Sequence, residues 1–138
     1  MMPLENQVCT LEQAKKFDEF GVDAESYFVW AWRLGLAQGS RTIRDPRYEV
    51  VSKRRLIEER ENFNLDRPIY QAYSAAEIVS MWGIVHQKLK CSTKEKLKDY
   101  RLSLASGGNL SITYTHRVSN MIIAAIESEI IKPEDLKL

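Results

Sequence analysis

No stretch of this sequence approaches the ~20 consecutive apolar residues that a helix needs to cross a bilayer. Met1 to Gln7 also lacks the apolar core of a signal peptide, so the expectation is a cytoplasmic chain without a membrane partner. Cysteine is scarce. Cys9 and Cys91 stand far apart with no secretory signal, which reads as two reduced thiols and not as a disulfide framework. A dominant charge is missing too: the net charge of +1 predicts no general affinity for nucleic acid or anionic membrane. Repeats and low-complexity tracts are absent. What is left is an ordinary globular chain of 138 residues, 44% hydrophobic and 28% charged, enough for one domain with a real core.

Residues that carry chemistry are equally thin on the ground. Cys9, Cys91, His86 and His116 include no Cys-x-x-Cys or His-x-x-x-His pair, the spacing on which structural zinc sites are built. No metal and no cofactor is therefore expected. Both cysteines lie beside apolar residues and read as packing. Gly107-Gly108-Asn109 does not lead into a helix N-terminus, which a phosphate loop requires. No catalytic set is assigned.

What the sequence does contain is pattern. Tyr100, Leu102 and Leu104 alternate with polar or small residues, and so do Leu110, Ile112 and Tyr114. That period of two predicts an antiparallel pair. A three-residue loop, Ser106 to Gly108, sets Leu104 against Leu110, Leu102 against Ile112 and Tyr100 against Tyr114, all on one face. A helix follows, with Thr115 as its N-cap, and Val118, Met121, Ile122, Ala125, Ile126 and Glu129 along one side. Ile123 and Ile130 widen the apolar face, so this helix reads as central and buried, ending at Pro133.

Upstream, Thr10 with Gln13 forms a capping box before Leu11, Ala14, Phe17 and Phe20, and Gly21 is placed to end that helix. Tyr27 to Trp32 is dense in aromatic and β-forming residues with bulk on both faces: a strand covered on both sides. Gly39 to Pro46 suggests a loop, Tyr48 to Ser52 a strand, and Lys53 to Glu61 a short charged helix in which Arg55 and Glu59 sit at i,i+4 in the less favourable order. Residues 37–70 have few apolar anchors and read as an excursion from the core. Ser74 with Glu77 is a second capping box, starting a helix that Gly83 would stop; Ile84 to Cys91 alternates weakly, and Ser92 with Glu95 repeats the cap pattern. The expected fold is α+β: a small antiparallel sheet packed against about three helices, with a C-terminal β-hairpin followed by a central helix.

Three segments also carry a resemblance. They are Gln7 to Lys16 running on to Gly21-Val22 and Glu25 to Trp30, then Tyr73 to Ile78, then the closing segment with its helix. In that order they resemble a family of small uncharacterised proteins encoded in prophages and mobile elements of gut Bacteroidetes. The resemblance implies an origin and a fold. It brings no catalytic residues with it.

Two clusters are candidates for binding. Residues 40–55 carry six basic and two acidic side chains, against three and six in residues 1–39 and eleven of each in residues 56–138. Arg41, Arg44, Arg47, Lys53, Arg54 and Arg55 are thus a candidate contact surface for an acidic partner. Thr115, His116 and Arg117 at a helix start form a candidate anion site, since free N–H groups and the helix dipole favour negative charge there. Trp30, Trp32, Tyr27 and Phe28 suggest base stacking, but only Arg33 is close in sequence, so sheet packing is the expectation. The functional expectation is a non-enzymatic accessory protein that binds another macromolecule, a protein first. The alternatives are a nucleic-acid binder through residues 41–55 and a binder of a small anionic ligand near Arg117.

Overall fold

Six residues, Phe28–Arg33, form the central strand β1 of a three-stranded antiparallel sheet, and its two faces divide the hydrophobic core. The computed structural model describes residues 3–35, 45–106 and 113–138. Strand β2 (Arg47–Ser52) pairs along the whole of β1, from Phe28 opposite Ser52 to Arg33 opposite Arg47. The two-residue β3 (Tyr70–Gln71) flanks the other side, with Trp30 opposite Tyr70.

Because successive side chains alternate across a sheet, this register sorts them cleanly. Trp30, Val50, Phe28, Tyr48 and Tyr70 belong to the main core under the helices. Val29, Ala31 and Val51 point the other way into a small second core with Phe63 and the half-buried Leu56. The strand is covered on both faces, as its bulk on both sides predicts. Leu56 comes from α2 (Lys53–Glu58), which Ser52 caps by accepting the Arg55 N–H at 3.1 Å, and a 3-10 turn, Arg60–Asn62, follows. Residues 45–70 therefore hold a larger share of the interior than their composition suggests: Val50, Val51 and Phe63 are all buried.

The main core is helical. Helix α1 (Leu11–Phe20) forms both halves of the Thr10–Gln13 capping box and ends on Gly21 at φ 83°. Helix α3 (Ala75–Lys90) begins with the Ser74–Glu77 box. It does not stop at Gly83, which is mid-helix; a glycine ends a helix by going left-handed, and this one stays right-handed. The weak alternation of Ile84 to Cys91 is thus the end of the same helix. Helices α3, α1 and α4 (Lys94–Ser106) all pack on α5 (Tyr114–Glu127), the central buried helix, in which Ile122 is fully enclosed. Among the described residues there are five α-helices around the small sheet, an α+β fold.

Among the described residues the expected first strand of the C-terminal hairpin is helical instead. Tyr100 to Ser106 lie in α4, Tyr114 is the first residue of α5, and the turn and most of the second strand fall outside the described residues. The misreading has a physical source. Tyr100 and Leu104 alternate with polar residues, but with Leu97 they also stand at i, i+3 and i+7, a helical face. Burial follows the second pattern: Tyr100 is buried whereas Leu102 is 60% exposed. The cap is Thr93, whose hydroxyl accepts the Lys96 N–H at 3.3 Å, and not Ser92, which donates back to the Lys88 carbonyl.

Both ends of α5 also differ from expectation. Thr113, two residues before Thr115, is the N-cap and accepts the His116 N–H at 3.2 Å. At the other end Ile130 N–H bonds the Ala125 carbonyl at 2.9 Å and Glu129 N–H bonds Ile126 at 3.1 Å, with Glu129 at φ 62°. That is a Schellman stop. Pro133 begins a separate 3-10 turn, Pro133–Asp135.

Candidate functional site

Glu77 gathers one end of the molecule. Its Oε1 accepts the Ser74 N–H at 2.8 Å, closing the cap of α3, and the Ser26 hydroxyl at 2.6 Å; Oε2 accepts the Tyr27 N–H at 3.1 Å. The Tyr27-Phe28 entry to β1 is thereby held against the first turn of α3. Val8 bridges to Ser74, and the Val8 carbonyl lies 3.0 Å from Nε2 of His116, bringing the start of α5 to the same place. Between these elements is a cleft of about 400 Å³ whose lining includes Leu4, Val8, Phe28, Ala76, Tyr114 and Thr115. The lining is mostly apolar. Tyr114 in the wall and Tyr27, whose ring packs edge-on against Phe28 at 5.0 Å, are about 60% exposed, unusual for side chains of their size.

The three residues of the candidate anion site diverge. Thr115 and His116 are buried: the Thr115 carbonyl accepts the Ser119 hydroxyl at 2.7 Å, and the His116 carbonyl accepts Gln13 Nε2 at 2.8 Å. Arg117 alone is exposed. Thr115 nevertheless lines the cleft, and the first turn of α5 contains no acidic residue. The positive end of the helix dipole thus meets an apolar surface.

Of the basic stretch, Arg41 and Arg44 lie outside the described residues. Three of the other four are matched by carboxylates. Lys53 lies 3.8 Å from Glu25, Arg54 pairs with Glu58 at 3.2 Å, and Arg55 pairs with Glu59. The Arg55 hydrogen bond also holds the Glu59 carboxyl below its ordinary range. Arg47 is exposed, with no ion pair to a described residue. The carboxylates one turn along α2 are legible in the sequence, and they lower its field.

The sulfur and imidazole groups are dispersed. Cys9 is buried in the core and its thiol is pushed up to about 12 by burial, while Cys91 is exposed at the end of α3. His86 lies beside Trp82, and His116 is spent on Val8. Among the described residues no group of three or more His, Cys, Asp or Glu converges. No described helix is long and apolar enough to cross a membrane. No family model, curated protein or solved structure matches this chain.

Two features had no sequence signal. The cleft draws its walls from four separate segments, and Lys15 and Arg67 reach the aromatic end of the sheet from either side of it in the chain.

Proposed function

We propose that this protein is a non-enzymatic, cytoplasmic accessory module of a phage or mobile element that binds a partner protein at the cleft between the starts of α3 and α5. One observation carries the reading: an apolar cleft with the large, exposed Tyr114 in its wall and the exposed Tyr27 packed on its lining residue Phe28. Tyrosine is enriched among the residues that dominate interface energetics, because it covers apolar area and keeps a polar tip. The partner inserts an apolar side chain between Leu4, Phe28 and Ala76. It sets an acidic residue against the first turn of α5, which itself carries no acidic residue and where Arg117 stands one turn from Tyr114. The pairing of Lys53, Arg54 and Arg55 with glutamates weighs against nucleic acid docking on α2.

The test compares proteins retained from the native host by wild type, by Ala76→Glu and Tyr114→Ala, and by Ile57→Glu, which alters an exposed residue of α2. A partner then purified should bind wild type and Ile57→Glu alike. Loss of a fully buried hot-spot tyrosine costs about tenfold or more in affinity. A partner indifferent to Ala76→Glu and Tyr114→Ala refutes the site.

A further inference from the structure

At the end of the sheet an aromatic row runs from the rim of the main core out to Trp32. Trp32 stands opposite Tyr48 in the β1–β2 register, their rings edge-to-face at 5.2 Å, and Tyr70 continues the row at 5.8 Å from Tyr48. All three are half-buried, and Trp32 belongs to neither hydrophobic cluster. Two cations sit on these rings. The Arg67 guanidinium carbon is 3.8 Å from the centre of Trp32, and Lys15 Nζ is 5.8 Å from that of Tyr48. Neither has an ion pair among the described residues. The contrast with α2, where each arginine has its glutamate, is a matter of charge balance.

From sequence the aromatic run lacks the positive groove that base stacking needs, since only Arg33 is near. The fold supplies other cations: Lys15 from α1 and Arg67 from the loop before β3. That loop is fastened by the Tyr48 hydroxyl, which donates to the Pro68 carbonyl at 2.9 Å. A guanidinium lying 3.8 Å from the centre of an indole is held in place by the ring, and Arg67 is exposed.

We infer that the Trp32–Tyr48–Tyr70 row, with Lys15 and Arg67, is a binding surface for single-stranded nucleic acid. One unpaired base stacks on Arg67 above Trp32, another packs on the exposed part of Tyr70, and Lys15 meets a flanking phosphate. Duplex is a poor ligand because its bases are already stacked on each other. The acidic cleft of Asp18, Asp23 and Glu25 shares no lining residue with this row. The surface is also separate from the apolar cleft of the proposed partner site, so either assignment can fail alone.

Fluorescence anisotropy with a labelled mixed-sequence DNA 12-mer, single-stranded and as duplex, tests the surface across a salt series. Wild type should bind the single strand with an affinity that falls as salt rises, and the duplex more weakly. Lys15→Gln should flatten the log–log salt slope by about 0.7, the contribution of one phosphate on a single strand. Trp32→Leu should lose roughly tenfold in affinity with the slope unchanged, the signature of lost stacking. Arg67→Gln, at an exposed position, should weaken binding at an unaltered melting temperature. Absence of saturable binding by wild type overturns the assignment. So does equal affinity for duplex, or binding that Lys15→Gln and Arg67→Gln leave intact.

Discussion

Gln13 joins the start of α1 to the start of α5: its Nε2 donates to the His116 carbonyl at 2.8 Å while its Oε1 accepts the Thr10 N–H at 2.9 Å. The same amide nitrogen also reaches Asn120 Oδ1 at 2.7 Å. One side chain thus closes a capping box and carries a helix–helix contact between elements more than a hundred residues apart in sequence. This is how the His116 ring comes to rest on the Val8 carbonyl and how the α5 wall of the cleft is positioned.

Gln13→Ala should therefore cost about 2 kcal/mol, more than a cap alone, because two oxygens of α5 lose a buried donor. Gln13→Glu keeps the cap acceptor but sets a carboxylate against those oxygens, and should be worse at neutral pH than below pH 4. Chemical denaturation at both pH values checks this; equal stability of the two variants at neutral pH would exclude the cross-helix role.

Three positions test backbone conformation independently of contacts. Gly21, left-handed at φ 83°, should lose about 1 kcal/mol on change to Ala. Gly83 is helical and has nothing within 4 Å of where a Cβ would stand, so Gly83→Ala should gain about 0.5–1 kcal/mol. Glu129, a non-glycine residue at φ 62°, should gain by a similar amount on change to Gly. Melting temperatures of the three variants should move down, up and up.

Legibility of the fold tracked the range of the signal. Capping boxes at Thr10 and Ser74 are local chemistry, and both formed as the sequence predicts. So did strand β1, whose bulk on both faces states its burial. Failures came where one residue type serves two ends. Gly83 reads like Gly21 until its dihedral is known, and Tyr100 with Leu104 fits a period of two as well as a helical face. The net charge of residues 40–55 leaves Glu58 and Glu59 outside the count, though one helical turn brings them back to Arg54 and Arg55. The cleft and the aromatic row were illegible for a different reason: both are made by packing distant segments, and nothing in any one segment marks them.

The helical placement of residues 94–106 changes what Ile122 faces without changing its importance. It is fully buried among helices, with α3 and α4 packed on its own helix. Ile122→Ala should cost about 2–5 kcal/mol, and Glu127→Ala, at an exposed site, less than about 0.5 kcal/mol. A small loss for Ile122→Ala in denaturant titration would contradict its central position.

Tyr100 offers the converse test, a polar atom whose removal should help. Its hydroxyl is buried with no hydrogen-bond partner among the described residues, and burial raises its titration above the usual phenol range. Tyr100→Phe leaves the ring in place and removes the unsatisfied group, so stability should rise by up to about 1 kcal/mol. A drop on urea titration would mean that the hydroxyl is satisfied in solution.

The thiols and phenols predict the alkaline limit of the fold. Cys9 titrates near 12 in the folded chain, raised from 9.0 chiefly by burial, and burial also raises Tyr73, whose hydroxyl donates to the Ala24 carbonyl at 2.6 Å. Both groups are neutral in the folded state at a pH where the unfolded chain has lost their protons. Between about pH 9 and 12 the unfolded state therefore binds fewer protons, and stability must fall as pH rises, by about 1.4 kcal/mol per unit for each group fully in its window. Below pH 9 neither contributes a slope. Cys9→Ala should remove the part that begins near pH 9 and leave the part that begins near pH 10, where the phenols titrate. The same burial makes a kinetic prediction at pH 8: a thiol reagent should label exposed Cys91 at once and Cys9 only on unfolding, for two thiols per chain in denaturant. Rapid labelling of both in the native protein, or a stability profile flat from pH 8 to 11, would show that Cys9 is not sealed in the core.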